Sequence, residues 1–470
     1  MARVAIVTLG CPKNSVDSEG LAGLLSTRGH EVITDTATAE VVVVNTCGFI
    51  EPARRETVEE VLDLADLKDT TGLAGLVLAG CLVARSASEL AEALPEVDAF
   101  VDFAAYPRIG EIVTDAAAGE LSSRIHGEPG TRFDPAWWDA TIAAGPRLRF
   151  GRAPWAYVKI AEGCNRGCTF CSIPLMRGRL KSRSPDIIEA EARGLVAQGV
   201  AELSLVSQDS VMWGRDSGDG DLLELLGRLE AIEGLRRLRL MYLHPQGVTD
   251  RLIDRMTSSD VIVSYFDLSL QHVAPEVLRN MGRWGSAGRF TRMIEGIRAQ
   301  DPLAGVRATF ILGFPGETEA QADQVEAFVA ETEIDWIGTF TYSPEDGTRS
   351  VLMPDRVAEA AARARTERVA SAAEVTMERR ARWLVGQRLE ILAESFDRAQ
   401  GTWLGRSHRE APEIDGEVRF TGATGVSVGD LVEVRITGNA GADLEGVGAG
   451  VATDPRQGDE GMLAATSIPV

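Results

Sequence analysis

No apolar run in the sequence is long enough to cross a bilayer: the longest candidates, such as Val41 to Val44, stop after a few residues, where a spanning helix takes about 20. Nor do Met1 to Gly10 carry a long apolar h-region or a small-residue cleavage site; their short apolar run ends in Gly-Cys-Pro and reads as a buried first strand. These absences predict a soluble, cytoplasmic protein with no membrane partner. Positive charge is also in short supply, with 48 Lys and Arg against 70 Asp and Glu and a net charge of -22. Because phosphate binding draws its affinity from clustered Lys and Arg, this balance argues against a broad nucleic-acid footprint. It suits a basic protein partner, or simply keeps a large protein soluble.

What is present is enough apolar residue, 44% of 470, to fill two or three cores. In the first hundred residues a β-rich run is followed by a helical pattern three times, at Arg3 to Leu9, Val41 to Asn45 and Gly75 to Ala79, which predicts an N-terminal α/β domain with a parallel sheet over 1–120. Helices are expected over Ser15 to Arg28 and Glu51 to Leu67. From about Leu121 to Gly151 periodicity fails among Gly, Pro and charge, and 121–150 reads as a linker in which Trp137-Trp138 pack against a neighbouring domain or meet a partner. Six strand candidates follow, at Tyr157 to Ile160, Leu203 to Val206, Leu238 to Tyr242, Phe266 to Leu270, Arg307 to Leu312 and Ile337 to Tyr342. With helices between them they predict a partial (β/α)6 barrel over 151–384, open on one side. After an Arg-rich helix from about Arg356 to Leu384, short β segments predict a small antiparallel β-barrel over 385–450, with a disordered tail over 451–470.

The six cysteines fall into two groups of three with none left over. Cys164, Cys168 and Cys171 follow the first barrel strand with the spacing C-x3-C-x2-C, which lets three thiolates on one loop reach three irons of a 4Fe-4S cube and leaves the fourth iron open. Zinc would want a fourth ligand, and no other His or Cys lies close in sequence. A disulfide reading fails on the odd number in each group. Cys11, Cys47 and Cys81 are spread out, yet each comes within a few residues after one of the three N-terminal β runs. If those strands are parallel, the three thiols meet at the carboxyl edge of the sheet, where open α/β sheets place ligands. Gly10 and Gly80, each directly before a cysteine, let the backbone turn tightly there. Three unrelated buried thiols are the plain alternative.

At Cys164 to Cys171, with Phe170 before the last cysteine, the sequence resembles the radical S-adenosylmethionine (SAM) superfamily. The resemblance implies that the open iron binds SAM and that an electron from the cluster cleaves it to methionine and a hydrogen-abstracting 5′-deoxyadenosyl radical. It also implies that the backbone around Phe170 meets the adenine, and that Ser207, Gln208 and Asp209 after the second barrel strand, with Gly313, Gly316 and Glu317 after the fifth, hold the rest of SAM. The N-terminal cysteines, the barrel and the C-terminal β domain, of the TRAM or OB-like kind, together resemble the methylthiotransferases over nearly the whole chain. Membership implies a second 4Fe-4S cluster on Cys11, Cys47 and Cys81, two SAM molecules per turnover, a reducing partner, a sulfur donor, and a C-S-CH3 product in place of C-H.

Within that family, Gly10-Cys-Pro-Lys-Asn14, Tyr342-Ser-Pro-Glu-Asp-Gly-Thr348 and Ala411-Pro-Glu-Ile-Asp-Gly416 resemble the branch that acts on an aspartate of ribosomal protein S-twelve. The alternative branch acts on a tRNA adenosine, a substrate that the acidic C-terminal barrel would repel. A carboxylate substrate needs a clamp, for which Arg177, Arg179, Lys181 and Arg183 are candidates unless they form a solvated face. Gln271, His272, Tyr242 and His244, at strand ends, are candidate SAM or substrate contacts or simply core residues.

Overall fold

A computed structural model of the chain describes residues 1–127 and 147–451. Its N-terminal part is a six-stranded sheet of β1 (Arg3–Thr8), β2 (Glu31–Ile33), β3 (Val41–Thr46), β4 (Gly75–Gly80), β5 (Ala99–Val101) and β6 (Ile125–His126), in the order β2-β1-β3-β4-β5-β6. Every pairing is parallel. Helices α1 (Pro12–Thr27), α2 (Glu51–Thr71), α3 (Cys81–Ala93) and α4 (Ile109–Ala118) make the crossovers. β3 and β4 are buried at every residue, which is why the Val41 to Val44 run is unbroken rather than alternating. The segment read as a linker gives its first part to this sheet: Ile125 and His126 pair with Phe100 and Val101. A two-residue strand carries no periodicity, so the sequence concealed it. Trp137 and Trp138 lie outside the described residues.

The central part has six parallel strands: β7 (Trp155–Lys159), β10 (Glu202–Val206), β11 (Arg237–Leu240), β12 (Tyr265–Gln271), β13 (Gly305–Leu312) and β14 (Trp336–Thr341). A small antiparallel pair, β8 (Ala161–Glu162) and β9 (Lys181–Ser182), brackets the cysteine loop. β7-β10-β11 and β12-β13-β14 pair within themselves and touch through single bridges, Leu238 with Ile262 and Leu243 with Leu268. Among the described residues β7 and β14 do not pair, so the barrel is open between its first and last strands. The N-terminal domain spans that gap. Asp17 of α1 pairs with Lys159 at the end of β7, while Arg54 and Arg85 pair with Glu345 just past β14.

The C-terminal part is a closed barrel in the order β15-β16-β17-β19-β18, built of β15 (Arg388–Asp397), β16 (Thr402–Arg406), β17 (Val418–Thr421), β18 (Leu431–Ala440) and β19 (Asp443–Val451). It departs from the all-antiparallel expectation at one seam, where β17 and β19 pair in parallel. β19 takes in Val451, the first residue of the expected tail; the rest of that tail lies outside the described residues.

The chain between β16 and β17 seals the amino-terminal end of the central barrel. Trp336 Nε1 donates to Arg409 O at 2.8 Å, Tyr157 Oη to Pro412 O at 2.8 Å, and Tyr265 Oη to Asp415 Oδ2 at 2.6 Å. Arg239 and Arg406 flank the buried Glu202 carboxylate at 2.8 and 3.2 Å. Burial pushes that carboxyl up, but the two guanidiniums outweigh burial and hold it down to about 2. The Ala411 to Gly416 motif is thus part of a plug, and the opposite end of the barrel is left for ligands.

Candidate active site

β1, β3 and β4 lie side by side and parallel, so the residues that follow them emerge along one edge. Cys11 is the N-cap of α1, Cys47 follows β3 directly, and Cys81 opens α3. The three thiols sense one another's charge. Two glycines permit the approach. At Gly10, φ is +99° and a Cβ would lie 2.6 Å from Cys47 Cβ; at Gly80, φ is +97° and a Cβ would lie 2.5 Å from Asn45 Oδ1. Each position joins left-handed backbone to a space that no side chain fits. Asn14 ties the rim, its Nδ2 donating to Leu9 O at 2.7 Å and Thr46 O at 3.1 Å.

The second triad sits on the loop between β8 and the short helix Ile173–Arg177. Two N–H groups approach its sulfurs, the Arg166 amide 3.4 Å from Cys164 Sγ and Arg283 Nη1 3.5 Å from Cys168 Sγ. Thr169 anchors the loop by donating its amide to Met281 O at 2.9 Å. Burial pushes Cys164 up to about 11 and Cys171 to about 12, and pushes Cys81 of the first triad to about 12 against the pull of Arg177. Since the ligand to iron is the thiolate, loading either triad displaces protons. Among the described residues no three His, Cys, Asp or Glu side chains come close enough to share one ion.

Beside this loop three buried polar atoms find no partner within the chain: Gln208 Oε1, Asp209 Oδ1 and Arg283 Nε. Left bare, each costs about 1–3 kcal/mol. Together they offer two acceptors and a donor, which fits a ligand bearing both an amino and a carboxylate group. Asp209 Oδ2 accepts from Arg166 Nε at 2.6 Å, and Ser207 Oγ meets Ser210 Oγ at 3.0 Å. Phe170 packs on the apolar cluster of Ala274, Val277, Met281 and Phe314, which brings the cysteine loop against the Gly313 to Glu317 turn. Gly316 N donates to Asp355 O at 2.8 Å. The Glu317 carboxylate is engaged on both oxygens, by the Gly313 amide and by Arg365 Nη1 at 2.9 Å, so it holds its own turn.

Between the triads lies a buried polar network. Asp17 and Glu162 face Lys159 and Arg177, and all four side chains are at most 2% exposed. Arg177 Nη2 reaches Asp17 Oδ2 at 2.9 Å and Asn14 Oδ1 at 2.8 Å, and its Nη1 reaches Glu162 Oε2 at 2.9 Å. Its remaining Nε donates to Cys81 Sγ at 3.1 Å. Six residues after one triad, this guanidinium touches the other. Arg177 and Arg183 are therefore neither a solvated face nor free clamps; Arg183 is committed to Lys159 O and Glu191, while Arg179 and Lys181 are exposed. Both weighed histidines are buried. His272 Nδ1 accepts from the Ala274 amide at 3.0 Å, and His244, depressed to about 2 by burial and by Arg283 and Arg166, accepts from the Gln246 amide at 3.3 Å. Gln271 Nε2 lies 3.4 Å from Thr309 Oγ1. Lys13 stood in the sequence only as part of the Gly10 to Asn14 motif, without a role of its own. Its Nζ is buried 3.4 Å above the Tyr242 ring centroid and 3.4 Å from Ser207 O.

The central barrel with its three-cysteine loop defines the class, and residues 158–329 match the model of the radical SAM superfamily. Residues 3–102 match the uncharacterized protein family UPF0004 and 385–448 the TRAM domain. In backbone the chain resembles the radical SAM methyltransferase TsrM from Kitasatospora setae, with a TM-score of 0.53 at 17% identity, covering 74% of this chain and 77% of that one. Nearer relatives fix the family. Ribosomal protein uS12 methylthiotransferases RimO from Streptomyces avermitilis and Kineococcus radiotolerans are 40% and 41% identical, each covering 94% of this chain and 95% and 96% of their own length. The same-named protein of Geobacter sulfurreducens is 39% identical over 94% of this chain and 98% of its own. The chain belongs to the RimO family of methylthiotransferases.

Proposed function

We propose that this protein replaces a C–H on the β-carbon of one aspartate of ribosomal protein uS12 with C–S–CH3, consuming two SAM molecules, a sulfur source and electrons from a reducing partner. One [4Fe-4S] cluster would be held by Cys164, Cys168 and Cys171 and a second by Cys11, Cys47 and Cys81. The observation that carries the reading is that Arg177, six residues after Cys171 of one triad, sits in the buried network with Asp17 and Glu162 and donates to Cys81 Sγ of the other triad. When loaded, the first cluster supplies the electron for reductive cleavage of SAM, the source of the hydrogen-abstracting radical. The chain supplies position and dryness. Gln208 Oε1 and Asp209 Oδ1, unpartnered within the chain, would accept from the amino group of SAM, and Arg283 Nε would donate to its carboxylate. Phe170, Ser207 and the backbone from Gly313 to Gly316 would wall the rest. The net charge of -22 favours a basic ribosomal protein over a tRNA, and among the described residues no helix is long and apolar enough to cross a membrane.

The test is anaerobic reconstitution with iron and sulfide, then incubation with dithionite, SAM and a peptide carrying the uS12 aspartate loop. The expected result is about eight irons per chain and one methylthio group on the aspartate by mass. Eight irons and SAM cleavage without peptide product would overturn the substrate; about four irons would overturn the second cluster.

A further inference from the structure

Lys13 Nζ is buried in the interface, where burial disfavours its charge and the neighbouring Cys11 favours it. The residue is 7% exposed, yet among the described residues no carboxylate lies within ion-pair distance of Nζ. Other cations of the same interface are matched: Lys159 and Arg177 share Asp17 and Glu162, and Arg307 has Asp267 and Asp415; Arg283, on the SAM side, has no carboxylate partner among the described residues either. An ammonium has three donors and no acceptor. Here one donor leans on Ser207 O at 3.4 Å and the ammonium sits over the Tyr242 ring, so at least one N–H remains for something else. Tyr242 sits in a strained backbone conformation. Its φ is +60°, a conformation that non-glycine residues rarely adopt, and its amide is fixed by Asp267 Oδ2 at 2.9 Å.

The place is as telling as the missing partner. Lys13 follows Cys11 by two residues, and its tip touches the strand end that begins Ser207-Gln-Asp209. Whatever Nζ holds therefore lies between the sulfur side and the SAM side of the site. We infer that Lys13 Nζ is the clamp for the side-chain carboxylate of the reacting aspartate. The inference rests on the substrate reading above and deepens it, because it names the residue that distinguishes aspartate from its neutral isostere. The γ-carboxylate is one bond from the β-carbon, so fixing it with a charge-assisted hydrogen bond fixes the hydrogen to be removed. A buried ammonium left without an anion would likewise reject asparagine.

The experiment measures peptide binding to the reconstituted holoenzyme, with SAM present and no reductant, by fluorescence anisotropy. The target peptide and the same peptide with Asn for Asp are compared on wild type, Lys13→Met, Lys13→Gln and Lys13→Arg, and iron is counted for each. Wild type should prefer the Asp peptide by roughly ten- to a hundredfold. Lys13→Met should bind both peptides at the wild-type affinity for the Asn peptide, and Lys13→Arg should restore part of the preference; Lys13→Gln carries the same expectation should Lys13→Met lose iron. A preserved preference in the Met and Gln variants would overturn the clamp, as would an equal loss for both peptides, which marks a residue that holds the fold. A wild type that binds neither peptide better than a scrambled one would overturn the substrate reading itself, a failure visible without any variant.

Discussion

Cys164, Cys168 and Cys171 share one loop between β8 and a short helix, whereas Cys11, Cys47 and Cys81 stand after three separate strands and meet only where β1, β3 and β4 pair. The loop triad needs little beyond its own loop and the anchor from Met281. The dispersed triad exists only while the whole N-terminal sheet is formed, and one of its sulfurs also takes a hydrogen bond from the domain that carries the loop triad. A site made by local chain can be loaded early and survives distant damage; one made by sheet topology inherits every weakness of the sheet. The largest expected effect separates the two directly. Cys164→Ala should abolish both SAM cleavage and methylthiolation, while Cys81→Ala should abolish methylthiolation and leave SAM cleavage, each with about four irons lost. Iron analysis with assay of 5′-deoxyadenosine checks both. Loss of SAM cleavage in Cys81→Ala would show that the two sites do not load independently.

Arg177→Gln comes next. It strips one of two cations from the buried Asp17 and Glu162 pair and removes the donor to Cys81 Sγ, a change that costs about 3–5 kcal/mol when a buried pair is broken. Glu162 supplies a pH signature. Burial pushes its carboxyl up, but Arg177 and Lys159 outweigh burial and hold it down to about 2 from an ordinary 4.5. Because the folded value lies below the unfolded one, this stabilisation is present above about 4.5 and is lost as pH falls toward 2. Urea unfolding of the cluster-free protein from pH 6 to 3 should show that loss in wild type and a smaller loss from the same onset in Arg177→Gln, because the unfolded value is unchanged and the folded one rises toward it.

Gly10→Ala sharpens the contrast at smaller scale. The added Cβ meets Cys47 while the backbone keeps φ at +99°, for about 2 kcal/mol or more from conformation and overlap together. Iron from the N-terminal triad should fall selectively, leaving SAM cleavage at wild-type rate. An equal loss from both triads would mean that the loop triad is not local after all.

How far the sequence carried this description follows the same division. The central strands and β3 and β4 were legible because parallel strands buried on both faces are apolar runs. β2, β5 and β6 span only 2 or 3 residues, too few for a period, and β19 is rich in glycine, so all four escaped. The cysteine loop was legible from spacing alone. The dispersed triad became so only once its members were set at strand ends, because pairing order is not written in the local sequence. Arg177 was visible as one of a run of basic residues, but its meaning lies in Asn14, Asp17 and Cys81, which only tertiary structure brings to it.

The smallest expected effect tests whether the dispersed triad feels the far side of the barrel. Glu345, 2% exposed, accepts from Arg85 Nη1 at 2.6 Å and from Arg54, and Arg85 also donates to Gly48 O at 3.2 Å, directly after Cys47. Burial pushes the Glu345 carboxyl up, yet Ser343 and the two arginines hold it below its ordinary value. In Glu345→Gln both guanidiniums lose their anion, but Arg54 and Arg85 are 29% and 13% exposed and can turn to water, which limits the cost to about 1–2 kcal/mol. Stability should therefore change little. What should change is coupling: with the Cys47 loop less firmly held against the barrel, more 5′-deoxyadenosine should form for each methylthio group inserted. Glu359→Ala breaks an exposed pair with Arg363 on the outer helix; it should cost no more than about 0.5 kcal/mol and leave that ratio alone. If the two variants behave alike, the latch at Glu345 is packing only.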